Sequence, residues 1–117
     1  MKEFNNLKTR TRLMVYTGNV PNEAPFCKGV ATLLRGVEET GSLNASAGQI
    51  KMAYSKAWRI VKDAESSFGF LLIRRDGARG STLTKEGRII LNAYEDADLK
   101  CSEYVAKRFA ANLVRLQ

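Results

Sequence analysis

The sequence predicts a mainly α-helical domain with a small β component, and three observations carry that expectation. Apolar residues shift from a period of two to a period of three and four near Lys28. A short arginine-bearing hairpin pattern, "FLLIRRDGARGSTLT", interrupts the helical part, and everything after Thr84 runs to the end without a proline. At 117 residues the chain is one domain's worth, and 44% hydrophobic with 26% charged is the balance of a protein that buries a core.

The elements follow in order. "LKTRTRLMVY" alternates, with Leu7, Thr9, Thr11, Leu13 and Val15 on one face and Lys8, Arg10, Arg12 and Tyr16 on the other. That spacing predicts a half-buried N-terminal strand with a basic outer face. "TGNVPNEAP" is dense in turn formers and predicts a loop. From Lys28, Val30, Leu33, Leu34 and Val37 recur at helical spacing until "ETGS", where Gly41 ends the helix and Ser42 can cap a second one, Leu43 to Ile50. A third helix opens at "MAYSKAW" and runs to about Phe68. Its buried stripe is Ala57, Val61, Ala64 and Phe68, which leaves Tyr54, Ser55, Lys56, Arg59 and Lys62 largely outside. The hairpin carries Arg74, Arg75 and Arg79 on its tip and flanks. Thr84 can then cap a final helix from Lys85 to about Leu116.

Along that last helix Ile90, Tyr94, Ala97, Cys101, Val105 and Phe109 step by threes and fours, with Tyr104, Leu113 and Leu116 in the same series. A stripe this long outruns a core this small. Part of it is expected to meet another copy of the chain, as a homodimer seam.

Composition excludes several functions. Histidine is absent, and Cys27 and Cys101 stand far apart, so neither a Cys/His zinc site nor histidine-based catalysis can be assembled within the chain. No cofactor or metal is expected. Glu95, Asp96 and Asp98 lie on a helix without an accompanying nucleophile, and no phosphate-cradling glycine loop occurs, so an enzyme is not expected. No apolar run reaches the roughly 20 residues of a membrane helix, and "MKEFNNLKTRTR" lacks a signal peptide's apolar stretch; the expected location is the cytoplasm, without membrane. Net charge is +7. Residues 1–82 hold 13 Lys and Arg against 7 Asp and Glu, whereas residues 83–117 hold 6 against 5. A surplus confined to the first part suggests a polyanionic partner there, nucleic acid being the commonest.

Two helices joined by a tight break, the second polar and basic near its start, form a helix-turn-helix pattern. The arginine hairpin directly after them makes it winged. The expected division is therefore residues 1–84, a winged helix-turn-helix with its N-terminal strand, and residues 85–117, a dimerisation helix. The major groove of double-stranded DNA admits a helix with hydrogen-bonding side chains on its leading face, while wing arginines such as Arg74 and Arg79 suit phosphates or a narrow minor groove. Lys56 and Lys62 join the DNA-facing set on helical phase. Arg75 is equally suited to pairing with a carboxylate, and Trp58 stays open between DNA contact and internal packing.

"ETGS", "MAYSKAW", "FGFLLIRR" and "LTKEG", in this order and spacing, resemble the N-terminal DNA-binding domain of the bacterial molybdate-responsive (ModE-type) transcriptional regulators, a group close to the LysR-type winged helix. The resemblance covers about residues 7–95. It implies a homodimeric, sequence-specific regulator of transcription, with Ala53, Tyr54, Ser55, Trp58 and Arg59 in the DNA-facing places of the recognition helix. The family's turn has glycine where this chain has Lys51, so Lys51 must take a left-handed backbone or the turn must differ. The family's cap serine is here Ala53, which forfeits about 1 kcal/mol. Full-length members continue into a molybdate-binding module, none of which is expected within residues 1–117, and no small-molecule effector can be named. The alternative is a winged helix used as a protein–protein adaptor or oligomerisation module without DNA binding.

Overall fold

The computed structural model of the chain describes residues 2–18, 25–77 and 80–117. After one 3₁₀ turn at Lys2–Phe4 come helices α1 (Lys28–Thr40), α2 (Leu43–Gln49) and α3 (Tyr54–Phe68), strands β1 (Ile73–Arg75) and β2 (Ser81–Leu83), and helix α4 (Lys85–Leu116). This is the expected winged helix-turn-helix, mainly helical with one two-stranded antiparallel hairpin. Among the described residues no helix is long and apolar enough to cross a membrane.

Local chemistry sets the boundaries. Gly41 closes α1 in the left-handed conformation (φ 76°), with its N–H on the Val37 carbonyl. One residue on, the Ser42 hydroxyl accepts the Ala45 N–H and starts α2. The two helices cross closely because α1 presents Gly36 to Ser46, whose hydroxyl donates to the Leu33 carbonyl at 2.7 Å. The break into α3 is tight: Lys51 and Met52 return their N–H groups to Gly48 and Ala47, and Lys51 holds φ 56°. The chain thus keeps the left-handed corner without the glycine that usually occupies it. Ala53 starts α3 with no side-chain cap.

The core lies between α1, α2, α3 and the first turns of α4. Phe26, Leu33, Leu34, Leu43, Leu72 and Leu91 are fully buried, and Phe26 lies between the rings of Phe68 at 6.0 Å and Tyr94 at 5.3 Å. Burying side chains of this size stabilises by about 1.5–3 kcal/mol each.

Helix α3 anchors the hairpin. Glu65, only 7% exposed, stands on the buried side of α3 and accepts the N–H groups of Leu72 and Ile73 at 2.8 and 3.2 Å. Its charge is stabilised by backbone donors at the root of β1, which fixes where the strand begins. Ile73, Arg74 and Arg75 pair with Leu83, Thr82 and Ser81. The Ser81 N–H reaches the Gly41 carbonyl at 2.8 Å, so the α1–α2 corner flanks the hairpin. Gly80 (φ 102°) sits so near this carbonyl that a Cβ would lie 2.2 Å from its oxygen. Thr84 caps α4 through the Gly87 N–H, and Gly87 lets the helix pass the Leu72 carbonyl, 2.2 Å from where a Cβ would be.

Two expectations need correction. Among the described residues no N-terminal strand forms: Leu7 to Tyr16 is without regular structure apart from a single bridge, Val15 with Phe26. The alternation survives as burial, with Thr9, Thr11, Leu13 and Val15 half-buried and Lys8, Arg10 and Arg12 exposed, while Leu7 is exposed. Period two records a chain with one side against helices; a strand also needs a neighbour for its N–H and C=O groups, and among the described residues Phe26 supplies it at Val15. The second correction is Tyr94, expected in a dimer seam. It is 5% exposed within its own chain, packs on Phe26 and donates its hydroxyl hydrogen to the Leu13 carbonyl at 3.0 Å. The stripe of α4 begins as core.

Candidate nucleic-acid interface

Helix α3 turns Ala57, Val61 and Ala64 inward, which obliges the opposite flank to face out. On that flank Ala53, Ser55, Lys56, Arg59 and Lys62 are exposed and Tyr54 is 40% exposed. No carboxylate occurs between Ala53 and Lys62. The wing lies on the same side. Arg74 is exposed opposite Thr82, and the expected Arg79 lies outside the described residues.

Arg75 joins the wing to the helix. Its Nη2 donates to the Tyr54 hydroxyl at 2.8 Å, and its guanidinium stands 4.3 Å from the centre of the Trp58 ring. Trp58, half-buried, donates its Nε1–H to the same hydroxyl at 2.7 Å, and Lys62 Nζ is 5.2 Å from the indole centre. The Tyr54 and Trp58 rings meet edge to face at 6.4 Å and 73°. Cation–π attraction of this kind contributes about 0.5–1 kcal/mol at exposed sites. The carboxylate envisaged for Arg75 is thus replaced by two aromatic side chains. Beside them an open hollow of about 310 Å3 is bordered by Ser42, Asn44, Tyr54, Arg75, Gly77 and Gly80.

Tyr54, Ser55, Lys56, Arg59 and Lys62 are thus exposed along α3, with Trp58 half-buried beside them, while Arg74, next to Arg75 in β1, turns to the opposite face of the hairpin. Sequence reasoning missed the tie between Arg75 and Tyr54, since nothing local marks residues 21 positions apart as neighbours. It also missed Glu65, although a signal existed: Glu65 follows Val61 by four, on the apolar stripe, where a carboxylate needs a partner.

Helix α4 presents a different surface. Near Glu95 it is tied to α1 by Arg35, whose Nε donates to Glu95 Oε2 at 3.1 Å; that hydrogen bond, ahead of the attraction of the nearby carboxylates, raises the Arg35 pKa. Beyond this point Ala97, Cys101 and Phe109 are exposed and Val105 is half-buried, while Ile90, nearer the start, packs partly on the core. Leu99, Tyr104 and Val114 are 55%, 67% and 75% exposed.

Similarity to known proteins agrees with this architecture. The family model described as bacterial regulatory helix-turn-helix protein, lysR family, matches residues 31–88. That is the wider relative in the sequence reading, not its molybdate-responsive branch. No curated protein matches the chain. Among solved structures, the CbnR_DBD–DNA complex superposes with a TM-score of 0.60 at 23% identity, over 72% of this chain and 94% of that one. The complex of BenM_DBD with benA site 1 DNA gives 0.55 at 21%, over 70% and 92%. ArgP from Mycobacterium tuberculosis gives 0.56 at 25%, over 69% of this chain but only 30% of its own. The chain thus spans nearly all of the two domains solved with DNA and under a third of ArgP. Residues 31–88 match the lysR-family helix-turn-helix model and fold as a winged helix-turn-helix.

Proposed function

We propose that the chain is a sequence-specific double-stranded DNA-binding regulator of transcription that acts as a homodimer in the cytoplasm. The observation that carries this reading is the basic flank of α3 beside the wing: Lys56, Arg59 and Lys62 exposed, no carboxylate between Ala53 and Lys62, and the hairpin, which also carries exposed Arg74, fastened beside the helix by Arg75. Lysines and arginines there neutralise phosphates and supply most of the affinity, and the leading edge of α3 (Ala53, Tyr54, Ser55 and Arg59) supplies selection. The exposed apolar residues of α4 beyond Glu95, including Ala97, Cys101, Val105 and Phe109, form the seam between copies. Two recognition helices would then read half-sites roughly 34 Å apart, or a multiple of it. The narrower kinship with molybdate-responsive regulators rests on "ETGS", "MAYSKAW", "FGFLLIRR" and "LTKEG" alone.

The test is in vitro selection from random DNA, followed by anisotropy titration of the recovered site at several salt concentrations. A two-fold symmetric consensus is expected, and binding that weakens steeply with salt. Arg59→Ala and Lys56→Ala should weaken binding, and each lost phosphate contact should lower the salt slope by about one. Recovery of no consensus, together with salt-independent retention, would overturn the reading in favour of an adaptor.

A further inference from the structure

The Tyr54 hydroxyl has an unusual set of neighbours for a residue on a DNA-facing helix. A phenol carries one O–H donor and accepts through its oxygen. Here the oxygen already receives two N–H groups, Trp58 Nε1 at 2.7 Å and Arg75 Nη2 at 2.8 Å. Both acceptor positions are filled from inside the protein. What remains is the hydroxyl hydrogen, which no acceptor among the described residues takes up. The ring is 40% exposed and borders the open hollow between α2, α3 and the wing.

We infer that Tyr54 is a donor-only reader of DNA, and that Trp58 and Arg75 are positioning residues that fix its polarity. The inference rests on the DNA-binding reading above and adds to it the chemistry of one contact. A hydroxyl is ordinarily indifferent, donating to an acceptor or accepting from a base amino group. Held by two donors, this one can only give a hydrogen. It therefore selects an acceptor: a purine N7, guanine O6 or thymine O4 in the major groove, or a phosphate oxygen, and it disfavours the amino groups of adenine and cytosine. Arg75 serves the interface without touching DNA itself, and its charge still favours an anionic or electron-rich acceptor nearby.

The test uses the whole chain and the site recovered by selection. Base acceptors are removed one at a time (7-deazapurines for N7, 2-aminopurine for guanine O6, 4-thiothymine for O4), and each phosphate is replaced in turn by methylphosphonate. Tyr54→Phe, which keeps the ring, should weaken binding about 3- to 10-fold, the size of one hydrogen bond. At one position, and only there, the modified DNA and Tyr54→Phe should not add; a base position identifies groove readout and a phosphate position identifies backbone readout. Trp58→Phe removes one donor to the hydroxyl. It should broaden base preference at that position, or, for a phosphate contact, lessen the penalty of the methylphosphonate, while circular dichroism melts confirm a folded protein. Additive losses at every position, Tyr54→Phe binding like wild type, or Trp58→Phe leaving selection unchanged would each overturn the inference with DNA binding intact. Wild-type protein that selects no site overturns the DNA-binding reading and this inference with it.

Discussion

The two halves of α4 share one sequence pattern and meet opposite fates. Ile90, Leu91 and Tyr94 belong to or pack on the core, and Leu91 is wholly buried. Ala97, Cys101, Tyr104 and Phe109 continue the apolar series yet stand exposed, Phe109 at 37% and Tyr104 at 67%. The change comes at Glu95, where Arg35 on α1 makes the last hydrogen-bonded tie between that helix and α4 among the described residues. Thirteen residues of α1 cannot cover thirty-two of α4. The difference teaches that periodicity reveals which face of a helix is apolar, while the length of its neighbour decides how much of that face the chain itself can bury.

The largest effect should come from the buried half. Leu91→Ala is expected to cost about 2–5 kcal/mol in urea unfolding, whereas Leu99→Ala, at the lowest usable protein concentration, should stay within about 0.5 kcal/mol. Equal losses would break the contrast. In the exposed half, Phe109→Asp should weaken self-association at least about tenfold in sedimentation equilibrium, with little change in monomer stability. A wild type that is monomeric at every concentration would leave the distal half without the seam proposed for it.

Tyr94→Phe probes the buried half through pH. It removes the hydrogen bond to Leu13, about 1 kcal/mol. Burial, first, and the nearby Asp98 raise the Tyr94 pKa above the usual 10.0. The unfolded chain therefore loses this proton first, so the tyrosine's contribution is intact below pH 10 and fades as pH rises above it. Thermal melts should show an alkaline decline in wild type that is shallower in Tyr94→Phe. The smallest effect is expected at the boundary. Arg35 and Glu95 are 35% and 41% exposed, so Arg35→Met should cost only about 0.2–1 kcal/mol. Hydrogen exchange would then show fraying of α4 moving toward Tyr94, if this pair marks where the helix leaves the core.

Features that depend on a few adjacent residues were legible in the sequence. Gly41, Ser42 and Thr84 act through backbone groups no more than four residues away, so their roles as stop and caps could be read directly. Lys51 was legible as a conflict, and the structure resolves it by holding a side-chain-bearing residue in the left-handed region at a cost of roughly 1–2 kcal/mol. The phase of α3 likewise separated Ala57 and Val61 from Lys56 and Arg59. What could not be read were roles that depend on chain returning from far away. Leu7 to Tyr16 shows the alternation of a strand but among the described residues pairs with Phe26 alone, and Arg75 meets Tyr54 through a hairpin whose angle no local residue specifies.

That angle is fixed at three places: Glu65 on the N–H groups of Leu72 and Ile73, Gly41 on the N–H of Ser81, and Tyr54 on Arg75. A hairpin so moored is preorganised. Docking then spends little conformational entropy on arresting its strands, and the free energy saved is available as affinity.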